Sequence, residues 1–338
     1  MKIAIYIADN CFGAGIHGVI DALVTANYVL KKSGADPLFQ WNTVSLQGAP
    51  VVPTNGLTIQ ADYSLNDYLL QPVKPDIWVI PAVYHSVTKF EKIKLVLAES
   101  QPMIKVLKDH YEEQKLLVSI CSGAFLLAEA GILHNRPALM HWRSEPVFRR
   151  LYPSHPVETQ QSIVDYGNLI CAVGGNVAYQ YLAMHLIKRF AGQQVAINTA
   201  KLLMMDLNPP NASPYRDFSY QHYEHKDDLV RRAQNFIEQH SHQDINLTDM
   251  ASTLGISDRQ FKRRFNQTLN CSPLQYLQKI RISQACSLLE ATQLPSSKIV
   301  YQIGYKDESS FRRLFKKQMD MTMETYRKQF GYHGAARP

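Results

Sequence analysis

No apolar run in this 338-residue chain approaches the roughly 20 residues that cross a bilayer. The longest, such as Ile77 to Val83 and Ile3 to Ala8, stop after a few positions, so no membrane partner is expected. The opening MKIAIYIAD lacks the long apolar stretch of a secretory leader, because Asp9 closes it early. It reads as the buried first strand of a cytoplasmic protein. Cysteine is scarce: Cys11, Cys121, Cys171, Cys271 and Cys286 form an odd, widely spaced set with no C-x-x-C pair. That spacing argues against a disulfide framework or a zinc knuckle and fits a reducing compartment. His17, His222 and His225 lack metal-ligand spacing and read as surface residues, so neither metal nor cofactor is expected.

Net charge is also missing from most of the chain. Residues 1 to 225 hold 18 Lys/Arg and 18 Asp/Glu, whereas residues 226 to 330 hold 17 and 11. Almost the whole formal charge of +7 therefore sits in the last third. A neutral large part followed by a basic small part predicts that the small part meets a polyanion, with nucleic acid the leading candidate and a membrane surface the weaker one.

The composition, 46% apolar and 19% charged, supports substantial cores, and the length suits two domains. Apolar strand runs alternate with helical patterns through the first part. Residues 2–8 precede a helix over 19–30, 76–81 precede one over 90–107, and 115–120 precede one over 124–130. A further run, 168–173, ends at Gly174-Gly175 before an apolar helix over 178–190. This alternation predicts a mostly parallel sheet covered by helices. Between Asn208 and Asp228 the text turns to Pro, Tyr, Ser and His with no apolar period, which marks a linker. Beyond it only helical patterns remain. The expected organisation is an α/β domain over 1–207, a linker over 208–228 and an all-α domain over 229–330.

In the last domain, Thr248 to Phe265 reads as helix, turn at Gly255, helix. Ser257 with Gln260 forms a capping-box signature, Phe261 and Phe265 mark the core face, and Arg259, Lys262 and Arg263 project outward beside Arg264. The pattern returns about fifty residues later: Gly304 repeats Gly255, Phe311 repeats Phe261, and Phe315 repeats Phe265. There Glu308, Ser309 and Arg312 hold the equivalent outward positions, with Arg313, Lys316 and Lys317 as phosphate candidates. Glu308 is a candidate acceptor from cytosine N4. The helix predicted over 273–289 would space the two units for successive major grooves.

Leu254-Gly-Ile-Ser257, Arg263-Arg-Phe265, Ser272-Pro273, Arg281, Ile303-Gly304-Tyr305 and Tyr326-Arg327 together resemble the AraC family of transcriptional regulators. Asn270 departs from that pattern, standing where Gly is usual. The resemblance implies double-stranded operator DNA as partner, a homodimer, and contact with RNA polymerase in the cytoplasm, at the nucleoid.

In the first domain, Val118-Ser-Ile-Cys121-Ser-Gly123 reads as strand, sharp turn, helix, with the cysteine at the turn. Such an elbow presents a side chain at the sheet edge, and a helix N-terminus behind it can lower a thiol pKa. Cys121-Ser-Gly123 followed by Glu129-Ala-Gly131, with His141-Trp142-Arg143 and Gly174-Gly175, resembles the class I glutamine amidotransferase-like fold in its PfpI-type, regulator-fused form. That fold implies a flavodoxin-like parallel sandwich. Enzymatic relatives would need a base and an acid, yet Ser122 follows the cysteine where His is usual, and the first loop, Asn10 to Gly18, has no carboxylate. His141 is left as the candidate base. The expected role is a small-molecule pocket beside Cys121, with Ser122, His141 and Gly174 as further contacts, and no turnover. The resemblance suggests amino-acid or quaternary-amine effectors and transcriptional activation. The competing reading is a Cys121-dependent hydrolase or amidase tethered to DNA.

Overall fold

The computed structural model describes residues 1–83, 89–173, 175–208, 211–216 and 225–331. The chain divides into two compact units, Met1–Ala212 and Ser213–Pro338, and the division falls inside the expected linker.

The first unit runs β1 (Lys2–Tyr6), α1 (Gly13–Lys32), β2 (Gln40–Ser45), β3 (Tyr63–Ser64), α2 (Leu65–Leu69), β4 (Ile77–Ile80), α3 (Phe90–Glu99), α4 (Gln101–Glu112) and β5 (Leu116–Ile120). It continues with α5 (Ala124–Glu129), β6 (Ala138–Leu139), α6 (Glu145–Leu151), β7 (Val157–Glu158), β8 (Ile163–Asp165), β9 (Leu169–Ala172), α7 (Ala178–Ala191) and α8 (Gln193–Leu203). Seven strands form one sheet in the order β3-β2-β1-β4-β5-β9-β8, parallel except for β8 against β9. The flavodoxin-like sandwich expected from sequence is thus present. Strands β4, β5 and β9 are buried at every residue because helices cover both faces. One core lies on the α3, α4 and α5 side, and the other lies on the side of α1, α7 and α8.

One expectation fails locally. The single helix predicted over 90–107 is two helices that meet at Ser100. Pro102 sits in the first turn of α4; it has no N–H to continue the preceding ladder, and its ring crowds the carbonyl four residues back. The break places Glu99 and Ser100 at the carboxyl edge of the sheet.

The second unit is all-α: α9 (Asp228–His240), α10 (Leu247–Thr253), α11 (Asp258–Leu269), α12 (Pro273–Ala291), α13 (Ser296–Gln302), α14 (Glu308–Met319) and α15 (Met323–Phe330). Two small cores stand on either side of α12. Phe261, Phe265 and Leu269 fill the first; Phe311, Phe315 and Met319 fill the second; all six side chains are inaccessible to water. The repeat read in the sequence is therefore a repeat of core geometry.

Candidate functional site

Each half of the second unit builds its outward helix in the same way. The turns before them hold Gly255 at φ +73° and Gly304 at φ +85°, conformations open to glycine at little cost. Ser257 then caps α11: its Oγ accepts from Gln260 N at 3.3 Å, and the Gln260 side chain accepts from Ser257 N at 3.2 Å. Asp307 does the same for α14, accepting from Ser309 N at 3.0 Å and Ser310 N at 3.2 Å. Both helices end on a left-handed residue, Asn270 at φ +51° and Asp320 at φ +54°. Asn and Asp tolerate this region, which accounts for the absence of the usual glycine at 270.

The cationic side chains of α11 have different fates. Arg259 and Arg263 lie exposed, one turn apart, with no ion pair among the described residues. Lys262 pairs with Asp258 at 2.7 Å, an exposed one-turn contact that a phosphate can displace. Arg264 is turned the other way: its Nε donates to Asp227 Oδ2 at 2.6 Å. Asp227 also caps α9 by accepting from Val230 N at 3.1 Å. Burial alone would raise the Asp227 carboxyl, but the Arg264 guanidinium and the Val230 N–H outweigh it and hold it low. In the second half, Arg312 donates to Glu308 at 2.8 Å and to Glu324 of α15 at 2.7 Å. Glu308 is engaged there. Ser309, Arg313, Lys316 and Lys317 are exposed.

In the first unit the elbow is real. Cys121 has φ +49°, a left-handed conformation that a side-chain-bearing residue adopts at a cost of order 1 kcal/mol or more. Gly123 is required behind it, since a Cβ there would approach Ser119 Oγ at 2.8 Å and Pro81 O at 3.0 Å. The lowered thiol pKa expected from the helix N-terminus is not found. Cys121 is wedged between the two cores; burial pushes its thiol up, and the backbone N–H groups of His141 and Ser122 aimed at the sulfur do not offset this. The contact that His141 makes to the sulfur is through its backbone N–H. The ring lies tilted against Trp142, with centroids 4.9 Å apart, and its Nδ1 accepts from Arg143 N at 3.2 Å. Ser122 is buried beneath the turn. Gly174 and His222 lie outside the described residues.

A cleft of about 520 Å³ opens at the carboxyl ends of β1 and β2. Val83, just past β4, Ser45, and the helix break at Glu99 and Ser100 line it. Sequence reading placed the pocket at Cys121; this cleft stands across the end of β4 from that turn. It lies where the strand order reverses about β1 and β4, the switch point at which open α/β sheets take ligands. Among the described residues, Asp9 and Glu99 are the charged side chains of its lining.

A doubly wound sheet with a strained cysteine elbow joined to a tandem helix-turn-helix unit defines a two-part class of protein, an α/β fold followed by a helix-turn-helix domain. Residues 1–189 match the DJ-1/PfpI family profile, more than half of the chain, and this protein belongs to that family. Residues 250–329 match a helix-turn-helix domain profile, of the AraC type expected from sequence. Across both parts the chain is similar to the HTH-type transcriptional regulator CdhR of Pseudomonas aeruginosa, 24% identical over 90% of this chain and 85% of that protein. It is also similar to the HTH-type transcriptional regulator GbdR of the same species, 22% identical over 93% and 81%. Among solved structures, a candidate transcriptional regulator of Vibrio parahaemolyticus superposes with a TM-score of 0.50 at 18% identity, covering 60% of this chain and 98% of that one. That likeness speaks to the fold of the first unit.

Proposed function

We propose that this protein is a sequence-specific, DNA-binding transcriptional regulator whose first unit senses a small metabolite. The observation that carries the reading is the paired α11 and α14, built on the same capped, Phe-anchored plan in the part of the chain that holds the excess positive charge. Arg259 and Arg263 are the base-reading candidates, with Ser309 at the second half. Lys262, Arg313, Lys316 and Lys317 supply phosphate contacts. Arg264, Glu308 and Arg312 act by holding the helices in place. The protein works as a homodimer on promoter DNA beside RNA polymerase and activates transcription. Its similarity along nearly the whole chain to proteins named as regulators supports this reading.

The effector enters at the carboxyl edge of the sheet. The two carboxylates of the cleft suit the ammonium or quaternary-amine end of an amino-acid-like metabolite. Cys121, Ser122, His141 and Gly174 are the contacts proposed for its other end. A hydrolytic role for Cys121 is disfavoured by its raised thiol and by the His141 ring engaging Trp142 and Arg143 N. The test is a pool of amino acids, betaines and polyamines incubated with the protein and followed by NMR. Line broadening of one cationic metabolite at constant concentration is expected, reduced in Asp9→Asn with Glu99→Gln. Steady consumption abolished in Cys121→Ala would replace this reading with an enzyme.

A further inference from the structure

The two helix-turn-helix halves share more than α12. Residues 241–244, which join α9 to α10, belong to the first half, yet they are gripped from two sides. From α12, the buried Arg281 donates Nε to Ser241 O at 2.8 Å and Nη2 to Gln243 O at 2.7 Å. Gln284, three residues further along α12, donates to Ser241 Oγ at 2.8 Å, and Ser241 is inaccessible to water. From the second half, Gly304 lies so close that a Cβ would come within 2.7 Å of the His242 carbonyl. Lys306 pairs with Asp244 at 2.6 Å. The Arg281 guanidinium closes the joint, lying 5.0 Å from the centre of the Tyr305 ring in the second turn.

The chemistry of the joint selects arginine. Carbonyls at a helix C-terminus have no intrahelical partner, and a planar fork can satisfy two of them while its face stacks on an aromatic ring. A lysine ammonium is a point donor without that face. Burying a cation is costly, so its retention at the meeting point of two subdomains points to a demand for one particular arrangement. We propose that Arg281 is a positioning residue that fixes the orientation of α14 relative to α11, and thereby the half-site spacing the protein accepts. The proposal rests on the reading of both helices as DNA-contacting.

The experiment uses the full chain. A duplex is selected from a random-sequence pool with the unaltered protein. Binding is then compared on that duplex, on one with the distal half-site scrambled, and on one with that half-site displaced by about three base pairs, roughly a third of a helical turn. For Arg281→Lys, affinity for the scrambled duplex is expected to stay within about twofold, while the gain from the second half-site falls about tenfold and the displaced duplex is no longer penalised. Equal losses on all three duplexes would make Arg281 merely structural and overturn the proposal, as would unchanged discrimination. Gly304→Ala strains the same joint from its other side and carries the test if Arg281→Lys does not fold. Arg263→Ala separates the two readings. Should it bind every duplex as the unaltered protein does, the assignment of α11 as a DNA-contacting helix fails and the joint proposal falls with it.

Discussion

Arg263 and Arg264 are neighbours in sequence, and their substitution by alanine is expected to have unlike consequences. Arg263 stands on the exposed face of α11 without an ion pair among the described residues, whereas the Nε of Arg264 is committed to Asp227 at 2.6 Å. A side chain that reads a base contributes about 1 to 3 kcal/mol, so Arg263→Ala should weaken binding to a selected duplex by roughly 5-fold to 150-fold. If Arg263 instead meets a phosphate, the slope of log affinity against log salt should shrink by about 0.9. Arg264→Ala should leave both affinity and slope within about twofold of the unaltered protein, because its charge is already paired with Asp227 at the surface. Its effect should appear in thermal unfolding, as a small loss that depends on salt. Fluorescence anisotropy titrations at four or so potassium chloride concentrations, with melts of the same samples, measure all of this. A slope change in Arg264→Ala as large as that in Arg263→Ala would refute the reasoning, since it would mean that Asp227 releases Arg264 to DNA.

Three further outcomes follow from the packing. Phe261→Ala and Phe311→Ala each empty a fully buried site at the matching position of one half, and each should cost about 3 to 5 kcal/mol in chemical denaturation; a loss below 1 kcal/mol in either would undo the repeat of core geometry. Ser272→Ala removes the Oγ that caps Gln275 N at 3.2 Å and should cost about 1 kcal/mol in the same measurement. His110 of α4 is buried, and burial first of all pushes its imidazole down to about 4 even though Nε2 lies 3.2 Å from Leu116 O. The unfolded chain therefore takes up this proton first as pH falls. Stability should be complete above about pH 6.5 and decline toward pH 4, a loss that His110→Gln should remove from urea titrations across that window.

What could be read from sequence was whatever a local pattern encodes. Strands β4, β5 and β9 announce themselves as unbroken apolar runs because both faces are buried, and α11 announces itself by a cap and a Phe-x-x-x-Phe stripe. Strand β2, Gln-Trp-Asn-Thr-Val-Ser, did not, because its first half is only partly covered and carries polar residues. The break between α3 and α4 was hidden by an apolar period that runs across it, although Pro102 was the available signal. Helices α8 and α15 are not legible as apolar patterns because α8 buries only Ala196, Thr199 and Ala200, and α15 only Met323 and Tyr326. The elbow at Cys121 was legible because a small residue, Gly123, must follow it. The state of its thiol was not, since that depends on which apolar residues of two separate cores pack against this partly buried side chain. For the same reason Arg264 read as one more basic residue, its partner Asp227 lying 37 positions away.

That partner also bears on how a signal could arrive at the DNA-binding unit. An effector changes DNA affinity only by the difference in its own affinity for two arrangements, typically about 1 to 3 kcal/mol, so the chain between the units must meet something that small energies can shift. Described residues at both ends of that chain are fastened to the second unit, while Ala212 N donates to Gln160 O within the first at 2.8 Å. Tyr215 packs edge-on against Phe330 at 5.5 Å and accepts from Gln329 at 3.1 Å, which ties one end to α15. At the other end His225 accepts from Asp227 N at 3.2 Å and donates to Gln234, which in turn reaches the buried Tyr276 hydroxyl at 3.2 Å. Asp227 then links that end to α11 through Arg264. Asp227→Asn isolates this last link, because asparagine caps a helix as well as aspartate does while losing the ion pair. It should leave the melting temperature nearly unchanged and raise amide hydrogen exchange at the start of α11. A protected α11 in that variant would mean that the linker's grip ends at α9 and does not extend to the recognition helix.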